Sequence, residues 1–152
     1  MKMSSYGPYV NQDNSTSTNL NVTGPIEDMN ITSATLSGTA TNIDCIASTF
    51  WLFTANPSAN FSLNLRGNST TPMNSLLAIG QSISLVIAVT NGTTPYYLTA
   101  LSIDGTSVTA KWLNAGTPAS GNASSIDAYS LTVIKTAANT YTVLGAGASK
   151  FA

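Results

Sequence analysis

Four separate stretches of this chain set apolar residues at every second position, the period-2 pattern of a strand with one buried face. Phe61, Leu63 and Leu65 alternate with Ser62, Asn64 and Arg66. Ile83, Leu85, Ile87 and Val89 alternate with Ser82, Ser84, Val86 and Ala88. Val108, Ala110 and Trp112 alternate with Thr109 and Lys111, and Tyr129, Leu131 and Val133 with Ser130, Thr132 and Ile134. Turn residues fall between the runs: Asn56-Pro57, Arg66-Gly67-Asn68, Asn91-Gly92, Asp104-Gly105, Asn114-Ala115-Gly116 and Gly121-Asn122. Asn-Gly and Asp-Gly supply the positive φ that tight hairpins need.

Eight strands are predicted, over residues 36–42, 49–55, 60–66, 82–90, 96–103, 106–113, 126–136 and 139–145. Short strands with regular turn signals predict an all-β fold, either an antiparallel β-sandwich or a jelly roll. Periodicity does not choose between the two. Leu76, Leu77 and Ile79 before Gly80 suggest a single helical turn. No coiled-coil heptad and no repeat of 20–50 residues stands out.

Residues 1–35 read differently from the rest. They are polar, with isolated apolar residues at Leu20, Val22, Ile26, Met29 and Ile31, and Gly7-Pro8 and Gly24-Pro25 punctuate them as turns. Ordering such a segment costs about 1–2 kcal/mol per residue of backbone entropy, so it needs a surface to lie on. The expected organisation is an extended N-terminal anchoring arm over 1–35 and a β-domain over 36–152. The start, MKMSSYGPYVNQDN, has no apolar central region, so no secretory signal is expected and synthesis in a cytoplasm is. Seven Asn-x-Ser/Thr triplets follow from a composition in which Thr, Ser and Asn supply 57 of 152 residues.

That composition also narrows the chemistry. Only 7% of residues are charged and the net charge is -1. There is no histidine, which removes the commonest general base and the commonest metal ligand. One cysteine, Cys45, allows neither an internal disulfide nor a cysteine-rich zinc site, and it is expected to be a buried structural thiol. Five scattered basic residues argue against a grip on nucleic-acid phosphates. No apolar run reaches the roughly 18–20 residues of a membrane-spanning helix. Asp104 and Asp127 could be imagined as a glycosidase pair, but Asp104 sits in an Asp-Gly turn and Asp127 opens a strand as a capping side chain. No Asp-x-Asp-x-Asp cluster suggests calcium. The expectation is a protein that is not an enzyme, with no catalytic residue, cofactor or metal. Among the aromatics, Trp51 is expected in the core, while Tyr96, Tyr97 and Trp112 are candidate surface or glycan contacts.

The stretch from Thr49 to Ala152 resembles a module of virion structural and fibre-like proteins of marine tailed bacteriophages, notably those of cyanobacteria. The resemblance is carried by Trp51–Arg66 (WLFTANPSANFSLNLR), Gly80–Tyr97 (GQSISLVIAVTNGTTPYY), Ile103–Leu113 (IDGTSVTAKWL) and Ser125–Leu144 (SIDAYSLTVIKTAANTYTVL). It implies a non-enzymatic, β-rich, trimeric particle component located in the virion. In many relatives the module closes a long Gly/Thr/Asn-rich shaft, of which Thr18–Thr41 looks like a remnant. The short form favours a capsid decoration, head-fibre or neck protein docked by its N-terminal arm on other virion proteins (capsid, neck or tail). A tail-fibre module that reads host-surface glycan is the alternative. Neither reading involves nucleic acid or membrane insertion.

Overall fold

A computed structural model describes residues 28–152. The described chain is mostly β, with ten strands in two mixed sheets. They are β1 (Asn30–Thr32), β2 (Thr41–Asp44), β3 (Phe50–Phe53), β4 (Phe61–Arg66), β5 (Ser82–Asn91), β6 (Leu98–Ile103), β7 (Thr106–Val108), β8 (Lys111–Trp112), β9 (Ser125–Ala137) and β10 (Thr140–Phe151). One helical turn, α1 (Met73–Leu76), follows β4. The larger sheet runs β1-β3-β5-β9-β10-β8 and the smaller β2-β4-β6-β7.

The first six strands alternate between the sheets, so the chain winds as a flattened coil. β1, β3 and β5 pair in parallel in the large sheet, and β2, β4 and β6 in parallel in the small one. Asn30 lies opposite Trp51 and Ile43 opposite Leu65, so the first coil takes 21–22 residues. The next is longer because it carries α1: Trp51 lies opposite Ile87, and Leu63 opposite Leu101. Beyond it the chain turns antiparallel, with the β6–β7 hairpin in the small sheet and β5, β9 and β10 in the large one. β8 then adds in parallel to β10.

The wholly antiparallel arrangement expected from the sequence is therefore corrected. Alternation settles which side chains face inward, but not the direction of the neighbouring strand. Asn91-Gly92, which reads as a hairpin signal, instead ends β5 where the chain crosses to the other sheet. Asp104-Gly105 behaves as expected: φ is 50° and 80°, and Ile103 pairs with Thr106 across a two-residue loop.

The inward sets predicted by alternation meet between the sheets. Phe61, Leu63 and Leu65 of β4 are fully buried, as are Leu85, Ile87 and Val89 of β5 and Tyr129, Leu131 and Val133 of β9. Phe61 meets Tyr129 edge to face across the sheets, with ring centroids 6.0 Å apart. The Tyr129 hydroxyl accepts a hydrogen bond from the Leu98 amide, which satisfies its one polar atom.

Most of the predicted arm, residues 1–27, lies outside the described residues, with the turns read there and the first ten residues of the shaft remnant Thr18–Thr41. The arm's last residues do not: Asn30–Thr32 form β1, the edge strand of the large sheet. The helical turn expected at Leu76–Ile79 lies earlier in the chain, as α1, and shares only Leu76 with the predicted stretch; α1 is gripped at both ends. The Asp104 carboxylate accepts from the Met73 and Asn74 amides at 2.8 and 3.1 Å. Lys135 Nζ donates to the Asn74 and Leu77 carbonyls at 2.6 and 2.9 Å.

Candidate interaction surfaces

The outer faces of the two sheets differ in chemistry. On the large sheet, the residues between the inward ones include Ile31, Phe50, Leu52, Val86 and Ala88, with Leu144 near the far side. Register places Ile31, Leu52, Ala88 and Ala128 in one row across four strands, and Phe50, Val86, Ser130 and Ala146 in the next. Ile31 is 63% exposed and Leu144 45%. No charged side chain stands in either row. Val86, Ile134 and Leu144, which the alternation puts outside the core, all keep some exposure.

The small sheet turns polar groups outward. Asn64 Nδ2 donates to Asn42 Oδ1 at 2.8 Å, and Asn64 Oδ1 accepts from Ser102 Oγ and the Gly105 amide at 3.0 and 2.8 Å. Beside this ladder Arg66 Nε meets Asp44 Oδ1 at 2.6 Å. Asn64 is paired through both ends of its amide, while Asn42 Nδ2 and the remaining Arg66 donors have no hydrogen-bond partner among the described residues.

Of the three sequence-predicted contact residues, Trp112 alone lines the cleft between the sheet edges. It is half-buried at the edge of the large sheet, packed on Gly145 of β10, where even a Cβ would come within 2.7 Å of its ring. With Leu98, Thr99, Leu101, Val108, Ala110 and Thr117 it lines a cleft of about 250 Å³ between the sheet edges. Tyr96 and Tyr97 sit on the loop leading into β6, both half-exposed, and neither lines that cleft. Their backbone is tied down: the Tyr96 amide donates to Asn91 Oδ1 and the Tyr97 amide to Asn60 Oδ1.

The two acids considered as a hydrolytic pair serve different loops. Asp104 caps α1. Asp127 is fully buried and accepts from Asn91 Nδ2 at 2.9 Å and from the Asn122 amide and Nδ2 at 2.9 and 2.7 Å. That buried hub fastens the loops around Tyr96 and Asn122 to the end of β9, a linkage sequence reading did not find. Cys45 is buried, and desolvation, only partly offset by the Arg66 backbone hydrogen bond, pushes its thiol up to about 12. It is therefore a poor nucleophile at neutral pH. Among the described residues no three His, Cys, Asp or Glu gather as a metal set, and no helix is long and apolar enough to cross a membrane.

Compared with known proteins, the chain matches no family model, no curated sequence and no solved structure.

Proposed function

We propose that this chain is a non-enzymatic structural component of a tailed-phage particle, a capsid decoration, head-fibre or neck protein. It acts in the virion, docked on other virion proteins by its N-terminal arm and assembled with copies of itself, as a trimer. The observation that carries the reading is the contrast between the two outer faces. On the large sheet the two charge-free rows through Ile31 and Phe50 form an apolar strip of the kind a subunit interface buries, bordered by the polar row of Ser84, Thr132 and Lys111, and a closed symmetric ring covers such a strip in every copy. The Asn/Ser ladder and low charge suit the side turned to solvent. In the finer description of the fold, the packed sheets are a β-sandwich with a coiled, parallel half, a layout apart from the jelly roll.

Light scattering on the purified chain tests the self-assembly. The expected mass is three times 15.7 kDa, and Val86→Asp, on the outer face, gives monomer with its β-sheet circular dichroism intact. A monomeric parent chain, or a Val86→Asp variant that still assembles, overturns the interface. Docking is tested by deleting residues 1–14: the shortened chain should fold and assemble but fail to load onto particles.

A second reading, recognition of host-surface glycan, rests on the cleft at Trp112. An indole bordered by the hydroxyls of Thr99, Ser107, Thr109 and Thr117 offers a stacking face with hydrogen-bonding groups around it. Its volume suits one sugar ring rather than a chain. Binding to a glycan array that survives Tyr97→Ala but is lost in Trp112→Ala would favour this reading over the first.

A further inference from the structure

The two ends of the coil are finished differently. At the C-terminal end, β5 is covered by β9, and β6 by β7. At the N-terminal end, β1 pairs only with β3 and β2 only with β4 among the described residues, so both sheets end in an open parallel edge on the same side. That end also carries Met29, Ile31 and Ile46, three of the seven exposed large hydrophobics of the described chain. Open edges of this kind invite another strand, and repeat architectures close them with a capping unit.

Three observations name the occupant. One coil takes 21–22 residues, and the 27 residues before Asp28 supply enough chain for one more coil. Those residues contain Thr16-Ser17-Thr18-Asn19-Leu20-Asn21-Val22, which matches Thr39-Ala40-Thr41-Asn42-Ile43-Asp44-Cys45 in class at every position but Ser17 against Ala40. The matched segments are one coil apart, within a residue or two. The side chains in the match are also the ones that stack between coils in the small sheet. Asn42 stands opposite Asn64, and Ile43 opposite Leu65. Asn19 would extend the asparagine ladder outward and Leu20 the apolar column inward, with Asn42 left exposed to receive the next rung.

We propose that the open edge of β2 is the docking site for residues 16–22 of this same chain, which add as a parallel strand with Asn19 opposite Asn42. A covalently joined segment reaches that edge at a high effective concentration, which favours the chain's own copy over a neighbour's. The anchoring arm of the proposed function is then residues 1–15. The docking itself does not depend on that function.

Full-length chain carrying Asn19→Cys and Asn42→Cys tests the register. Facing residues of neighbouring strands lie within disulfide reach. Mild oxidation should form an intramolecular 19–42 disulfide, mapped by mass spectrometry, while an Asn11→Cys, Asn42→Cys control should not. Covalent dimers in place of the internal link would assign the edge to a second copy and overturn the proposal. In a separate full-length variant, Leu20→Asp should speed amide exchange at residues 41–44 by tenfold or more and leave β5 and β9 unchanged. Unchanged protection at 41–44, with no internal disulfide in the cysteine pair, overturns it as well.

Discussion

Asp104 and Lys135 grip opposite ends of the same helical turn from opposite sheets. Asp104, in the β6–β7 turn of the small sheet, takes the first amides of α1, and Lys135, on β9 of the large sheet, takes its last carbonyls. The acid sits at the amide end and the base at the carbonyl end, each satisfying groups the short helix cannot pair for itself. Asp104→Ala should cost about 1–2 kcal/mol, because water can reach the freed amides. Lys135→Met should cost about 2–3 kcal/mol, since it strands carbonyls beside a buried side chain. Urea denaturation followed by circular dichroism measures both.

Asp127 is the costlier acid to lose. Its removal leaves Asn91 and Asn122 with unpaired donors in a buried site. Asp127→Ala should cost about 3 kcal/mol or more. It should also free the segment 114–124, read as faster proteolytic nicking there. A nicking rate equal to the parent's would mean the loops are held by other contacts.

Stability should fall on the alkaline side. Burial raises the Cys45 thiol from 9.0 to about 12, and the Tyr129 hydroxyl from 10.0 to about 12. Both groups are neutral when protonated, so the folded state holds its protons where the unfolded state has released them. Their contribution is whole below about pH 9 and is lost as pH rises through 9 for the thiol and 10 for the phenol toward 12. Melting temperature measured from pH 7 to 11 should begin to drop near pH 9. Cys45→Ala should move that onset up toward pH 10.

Gly145 is small because Trp112 lies on it. Gly145→Ala should push the indole outward or force β8 from β10, costing about 1–3 kcal/mol. Fluorescence of Trp112, read in a Trp51→Phe background, should shift to the red. Without a shift, the ring would have to be held by the cleft rather than by β10.

Much of the core was readable before the structure, because alternation names inward residues without reference to partners. Tyr129, Leu131 and Val133 illustrate this, and the same column continues to Lys135. A lysine at the inward end of an apolar column was the available signal for the α1 clamp. Strand direction was not readable, since parallel and antiparallel neighbours ask for the same alternation. The coil interval was hidden for a related reason: stacked positions keep their inward or outward polarity and not identity. Asn42 and Asn64 match, but Ile43 meets Leu65 and Asp44 meets Arg66. Alternation read Val108, Ala110 and Trp112 as one face of a strand over 106–113, whereas Val108 ends β7 of the small sheet and Trp112 lies on β8 of the large one; all three border one cleft. That Tyr96 and Tyr97 stay out of this cleft depends on how the sheets close, which no local pattern records.

A chain wound alternately through two sheets lengthens both by one strand with each turn. Adding or deleting about 22 residues would therefore change the body by a single strand spacing, about 4.8 Å, along one axis. The hairpins at the far end and the apolar flank would keep their places. A molecule built this way can be resized in whole units, like a ruler cut at its graduations, without redesigning the end that is already closed.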